Sequence, residues 1–112
     1  MKVLNFFPIY RQLIQKEEKT TTIRLGDKRH EYFPNDNIEI SVGWNLNSVK
    51  ILKQGIIESV VIKKIKDLSP NDLVGESPDC LSTDAVKYVL GSIYKKNVSD
   101  ESVISIIKWR YF

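Results

Sequence analysis

The clearest alternation of apolar and polar positions runs over residues 37–42, where Ile38, Ile40 and Val42 are separated by Glu39 and Ser41. That period of two predicts a half-buried strand. Lys2 to Phe7 also has strand character and stops at Pro8. Over Ile9 to Lys16 the period lengthens. Ile9, Leu13 and Ile14 form an apolar stripe on two turns of helix, with Pro8 tolerated at its first position. A turn over 43–48 is expected to send the chain back along Val49, Ile51 and Leu52, with Gly55 breaking that strand. Ile56 to Leu68 is the longest strand expected. Val60, Ile62 and Leu68 lie on one face and Val61 and Ile65 on the other, as in a curved or bulged barrel strand. Ser82 to Lys96 predicts a helix: Ser82 can cap it, Asp84 suits its first turn, and Lys95 and Lys96 its end. Val86, Val89, Leu90 and Ile93 supply its apolar stripe. Ser102 to Tyr111, rich in Val, Ile and Trp, predicts a strand hydrophobic enough to be central.

Five or six strands with two helices fit a small β-barrel of α+β class. Too few crossover helices separate the strands for an all-parallel sheet. The 112 residues and 42% hydrophobic content are enough for one domain, residues 1–112, with its own core.

One stretch departs from ordinary patterning: Lys19-Thr20-Thr21-Thr22-Ile23-Arg24. Threonines branched at Cβ favour extended backbone. As a strand, it would show Thr20, Thr22 and Arg24 on one face and Thr21, Ile23 and Leu25 on the other. Hydroxyls and a guanidinium are costly to bury unless they meet a ligand or a hydrogen-bonding network. The stretch therefore predicts a wall of an anion-friendly pocket, with Lys19 at the strand mouth.

A net charge of +3 permits nucleic acid without requiring it. The single Cys80 cannot form an internal disulfide, which fits a reducing, cytoplasmic setting. No apolar run reaches the ~18 residues of a membrane span. His30 stands in a basic loop beside Lys28 and Arg29, where a solvated role is expected. It lies fifty positions from Cys80, so no metal site is expected. The glycines are scattered rather than gathered into a phosphate loop, and neither a cofactor nor a protein partner is expected.

Lys19, Thr22, Arg24 and Glu76 hold the candidate chemistry. Arg24 can grip a carboxylate or phosphate. Thr22 can hydrogen-bond a ligand or attack a carbonyl, and a desolvated Lys19 can take its proton. Glu76, in an irregular segment, can move protons or orient water. The competing reading has Lys19 exposed, Arg24 in a structural ion pair and Glu76 solvated. Lys63, Lys64 and Lys66 add a basic cluster able to contact a phosphate backbone. Among the aromatics, Phe33 is expected to pack into the fold, while Trp44, in a polar turn, is expected to be exposed and able to stack on a base.

The hexamer resembles the signature strand of the ASCH domain family, whose fold is a PUA-like β-barrel. The resemblance extends to the preceding short helix, the strand around Asn35 to Ile40, the long strand Ile56 to Ile65, the Asp72-Leu73-Val74-Gly75-Glu76 segment, the helix ending at Ile93-Tyr94 and the last strand. It implies binding of RNA or of a nucleoside or nucleotide, modified or not, in a cleft between barrel and helices, with Arg24 and Thr20 at the ligand. It also offers an alternative, the small single-domain 4-acetylcytidine amidohydrolases, whose lysine, threonine and glutamate match Lys19, Thr22 and Glu76. Three departures stand out. Glu17-Glu18 replaces the usual glycine before the lysine, Leu73 a frequent alanine, and Ser77 the glycine after the glutamate.

Overall fold

The computed structural model describes residues 2–45 and 48–112. Strand β1 (Lys2–Phe6) leads through a 3-10 turn (Pro8–Tyr10) into the short helix α1 (Arg11–Gln15). Strands β2 (Thr21–Leu25), β3 (Asn37–Val42) and β4 (Lys50–Lys64) follow. Three 3-10 turns, Ile65–Asp67, Pro70–Leu73 and Pro78–Cys80, then precede helix α2 (Thr83–Tyr94) and strand β5 (Val103–Tyr111). The strands form one sheet in the order β1-β3-β4-β5-β2, antiparallel except for the β1–β3 pair. The sheet curls into a half-barrel of α+β class, consistent with a small PUA-like barrel.

As expected, β5 is central, lying between β4 and β2 with Ile104, Ile106, Ile107 and Trp109 buried. It joins two apolar clusters. Leu4, Ile14, Ile38, Ile40, Ile57 and Trp109 build one, and Ile23, Ile65, Leu73, Val86, Leu90 and Ile104 build the other, beneath α2. Curvature comes from register shifts between Ile57 and Ser59 in β4 and between Ile40 and Ser41 in β3, as a bulge adds local twist and bend. Ser82 caps α2 by accepting a hydrogen bond from the Ala85 N–H at 3.1 Å.

The structure corrects several local expectations. Gly55 does not break a strand, because β4 passes through it unbroken for 15 residues. A Cβ at Gly55 would lie 2.6 Å from the Arg110 carbonyl oxygen on β5. The glycine is there because the neighbouring backbone comes too close for a side chain. Gly55→Ala is therefore expected to lower stability by about 1–3 kcal/mol, read as a shift in a urea unfolding midpoint. At its other end β4 stops at Lys64, with Ile65 starting a 3-10 turn instead of extending the strand to Leu68. Ile9 is exposed; Tyr10 and Ile14 are the residues that pack on the core. Phe33 is exposed rather than packed inside, with the Lys2 ammonium over its ring at 4.4 Å. The turn over 43–48 falls partly on Leu46 and Asn47, outside the described residues.

The end strands of the sheet, β1 and β2, do not pair with each other. The Arg24 guanidinium crosses from β2 to β1, where its Nη2 donates to the Asn5 carbonyl oxygen at 3.0 Å. A slit between two sheet edges thus takes the place of a sixth strand pairing, and the candidate site lies along it.

Candidate functional site

The site begins at the turn after α1. Glu17 takes φ +58°, a left-handed conformation, at the place where the resemblance leads one to expect glycine. The Glu18 and Lys19 N–H groups then both donate to the Leu13 carbonyl, and Tyr111 donates its hydroxyl proton to the Lys19 carbonyl. With its backbone fixed in this way, Lys19 is 3% exposed.

Gly75, at φ +85°, accepts from the N–H groups of Thr20 and Thr21, bringing the 74–77 segment against the start of β2. Glu76 and Ser77 follow. The Lys19 ammonium donates to Glu76 Oε1, to Ser77 Oγ at 2.8 Å and to the Thr21 carbonyl at 3.1 Å. An ammonium has three protons, and here each has an acceptor. Glu76 Oε1 also accepts from the Ser77 N–H at 2.7 Å, and its Oε2 from the Ile23 N–H at 3.1 Å. The two charged side chains are each only 3% exposed.

These contacts satisfy the open edge of β2, since the Thr21 carbonyl and the Ile23 N–H have no strand beside them. The Tyr94 hydroxyl accepts from the next outward N–H, that of Leu25, at 3.4 Å. A bare edge in a small barrel has thus become a polar wall of fixed geometry.

Thr22 faces the same cavity from β2. It is 5% exposed, and its hydroxyl has no hydrogen-bond partner among the described residues. No hydrogen bond joins it to Lys19. Arg24 also lines the cavity, its guanidinium 5.0 Å above the Phe6 ring. It forms no ion pair among the described residues, so most of its N–H donors are free for a ligand. Asn5, Phe6 and Phe7 from β1 and its end, Ile23, Tyr10, Cys80, and Val86, Val89, Leu90, Ile93 and Tyr94 from α2 complete the lining. The cavity measures about 100 Å³. Because Lys19 and Glu76 neutralise each other, Arg24 leaves it with one uncompensated positive charge.

Lys19, Thr22, Arg24 and Glu76 therefore come together, as the sequence suggests. Thr20 does not line the cavity; its hydroxyl packs against Gly75, where an added Cβ would meet it at 2.1 Å. The two-face reading of the hexamer also needs correction. Strand β2 starts at Thr21, and Thr21 is no less polar in its role than Thr22, donating to the Val74 carbonyl at 2.6 Å. Lys63, Lys64 and Lys66 lie outside the cavity and are already engaged: Lys63 with Asp72 at 2.8 Å, Lys64 and Lys66 with Glu101 at 3.0 and 2.9 Å. Trp44 is exposed, as expected, and its ring lies 5.3 Å from that of Phe7 at the cavity wall. His30 is exposed beside Glu31.

Sequence reasoning passed over Ser77, Tyr10 and the Phe6-Phe7 pair as site residues. Ser77 was visible as the neighbour of Glu76. The aromatics carried no local signal, because their role follows from where β1 ends in the sheet. Tyr10 lies 5.2 Å from the Lys19 ammonium and donates to Asp79 at 2.7 Å, so burial and then Asp79 hold its phenol proton on more tightly than usual.

Burial, with help from the carboxylates of Glu76 and Asp79, pushes the Cys80 thiol up to about 12. The thiolate is the nucleophile in alkylation. Iodoacetamide at pH 8 is therefore expected to label Cys80 in the folded protein far more slowly than a free thiol, whose pKa is ~8.5. Labelling at the free-thiol rate under native conditions would contradict this placement.

Neither a family model nor a curated protein matches the sequence. Solved structures do match. An ASCH domain from Lactobacillus crispatus JV V101 aligns over 98% of this chain and 79% of its own, at 12% identity and a TM-score of 0.67. A protein from Enterococcus faecalis V583, of the family designated DUF984, aligns over 100% of this chain and 76% of its own, at 14% identity and a TM-score of 0.70. The hypothetical protein PH0355 aligns over the full length of both chains at 18% identity and a TM-score of 0.66. At such identities the likeness concerns architecture, and on that ground the chain has an ASCH-like fold.

Proposed function

We propose that this chain is an amidohydrolase that removes a small acyl group from the exocyclic nitrogen of a cytosine nucleoside, 4-acetylcytidine or a close analogue. The observation that supports it is the buried Lys19–Glu76 pair lining the same cavity as Thr22, whose hydroxyl has no hydrogen-bond partner among the described residues. A threonine hydroxyl is a weak nucleophile until a base takes its proton. The Lys19–Glu76 contact gives that proton a path: Glu76 takes one from Lys19, and Lys19 takes one from Thr22. Thr22 Oγ then bonds to the acyl carbon, and the free Arg24 N–H donors stabilise the developing oxyanion. The C–N bond breaks as Lys19 returns a proton to the leaving nitrogen. Water hydrolyses the resulting ester, releasing the carboxylic acid and regenerating Thr22. Lys19 must shift from the Thr21 carbonyl towards Thr22 during this cycle, and catalytic hydrogen bonds commonly tighten only when substrate is bound.

A second reading, a module that binds RNA or a nucleoside or nucleotide without turnover, is favoured by one feature: all three Lys19 protons already have acceptors. Arg24 then anchors an anionic group. A phosphate reaching Lys63, Lys64 or Lys66 must first displace Asp72 or Glu101. Incubating the protein with 4-acetylcytidine and following release of cytidine and acetate tests the first reading. Absence of turnover, with saturable RNA binding that weakens as salt rises, would leave the second.

A further inference from the structure

We infer that Trp44, backed by Phe7, is the platform on which the planar ring of the ligand stacks, so that it sets a preference for ring-bearing amides over acyclic ones. This rests on the reading that the cavity receives the acyl end of an acylated base. A cavity of ~150 Å³ is what admits a benzene molecule. At about 100 Å³ this one takes an acyl group and leaves the attached ring at its mouth. Phe7 belongs to the lining, and the ring of Trp44, just beyond the lining residues, lies 5.3 Å from it at a 35° tilt and extends the aromatic surface.

The tryptophan is held there by backbone contacts. The preceding residue, Gly43, donates its N–H to the Phe6 carbonyl at 3.0 Å and accepts from Asn5 Nδ2 at 3.1 Å. Both partners belong to the cavity end of β1, so the backbone at Trp44 is tied to the site while the residue is 68% exposed. A tryptophan serving only to pack the loop would bury far more of its surface. The exposed part is the area a base can cover.

The chain's two tryptophans make the test direct. Trp109 is 1% exposed, so the long-wavelength emission belongs to Trp44. Cytidine, which carries no acyl group, is expected to quench that emission saturably. Trp44→Ala is expected to raise KM for 4-acetylcytidine about 5- to 150-fold, the range for losing one base–aromatic stack, with a smaller change in kcat. Trp44→Phe should recover most of the loss, and N-methylacetamide, which has no ring, should not distinguish Trp44→Ala from the unaltered protein. Turnover with an unchanged KM in Trp44→Ala would overturn the platform and leave the hydrolase reading standing. Saturable quenching by cytidine without turnover of 4-acetylcytidine would support the platform and remove the hydrolase. Neither quenching nor turnover would overturn both.

Discussion

Lys19→Met is expected to abolish turnover and to lower the unfolding free energy by about 3 kcal/mol. Removing one partner of a buried ion pair typically costs ~3–5 kcal/mol, because the remaining charge stays in a poorly solvated place. The lower end applies because Glu76 keeps three donors, the N–H groups of Ile23 and Ser77 and the Ser77 hydroxyl. Adding Glu76→Gln removes the stranded charge while keeping an oxygen for the two Ser77 donors. The double variant is therefore expected to regain about 1–2 kcal/mol over Lys19→Met and to remain inactive. Urea unfolding of the four proteins of this cycle measures the coupling. A Lys19→Met protein as stable as its parent would mean that the pair is open to water.

Thr22→Val is expected to do the reverse: to lower kcat/KM for 4-acetylcytidine by at least ~10³-fold while changing stability by less than about 1 kcal/mol. Valine has the shape of threonine. The lost hydroxyl has no hydrogen-bond partner among the described residues, so its removal strands none of their groups. Thr22→Ser, which keeps the oxygen, should retain measurable turnover. Activity of Thr22→Val near that of the parent, with Lys19→Met inactive, would make water the direct nucleophile and reduce Thr22 to a wall of the cavity. Together the two variants separate the residue that holds the edge of β2 from the residue that lines the cavity.

Local pattern was enough for the elements whose burial follows a single period. Ile38, Ile40 and Val42 alternate because they take the apolar core face of β3, and Ser82 and Asp84 mark the start of α2 by chemistry that acts within one turn. Gly55 misled because glycine weakens an isolated strand, whereas here it admits the backbone of Arg110. Ile9 misled because a two-turn segment that is partly 3-10 rotates its faces differently from an α-helix.

The sequence by itself singled out Lys19, Thr22, Arg24 and Glu76 as one set of candidate groups. Charged and hydroxyl-bearing side chains on a β-branched strand are expensive to bury, and that cost is written in the residue types. Only the tertiary structure decided how they are used. The choice between a solvated Glu76, an Arg24–Glu76 pair and a Lys19–Glu76 pair depends on which edge groups of β2 are left unpaired when the sheet curls. The fold leaves the Thr21 carbonyl and the Ile23 N–H open; Lys19 meets the first from two positions away, and Glu76 meets the second from 53 positions away. Lys19 and Glu76 satisfy both, Arg24 is left to bridge to β1, and Thr22 faces the space between. Contacts of that range depend on sheet order and curvature, which no window along the chain contains.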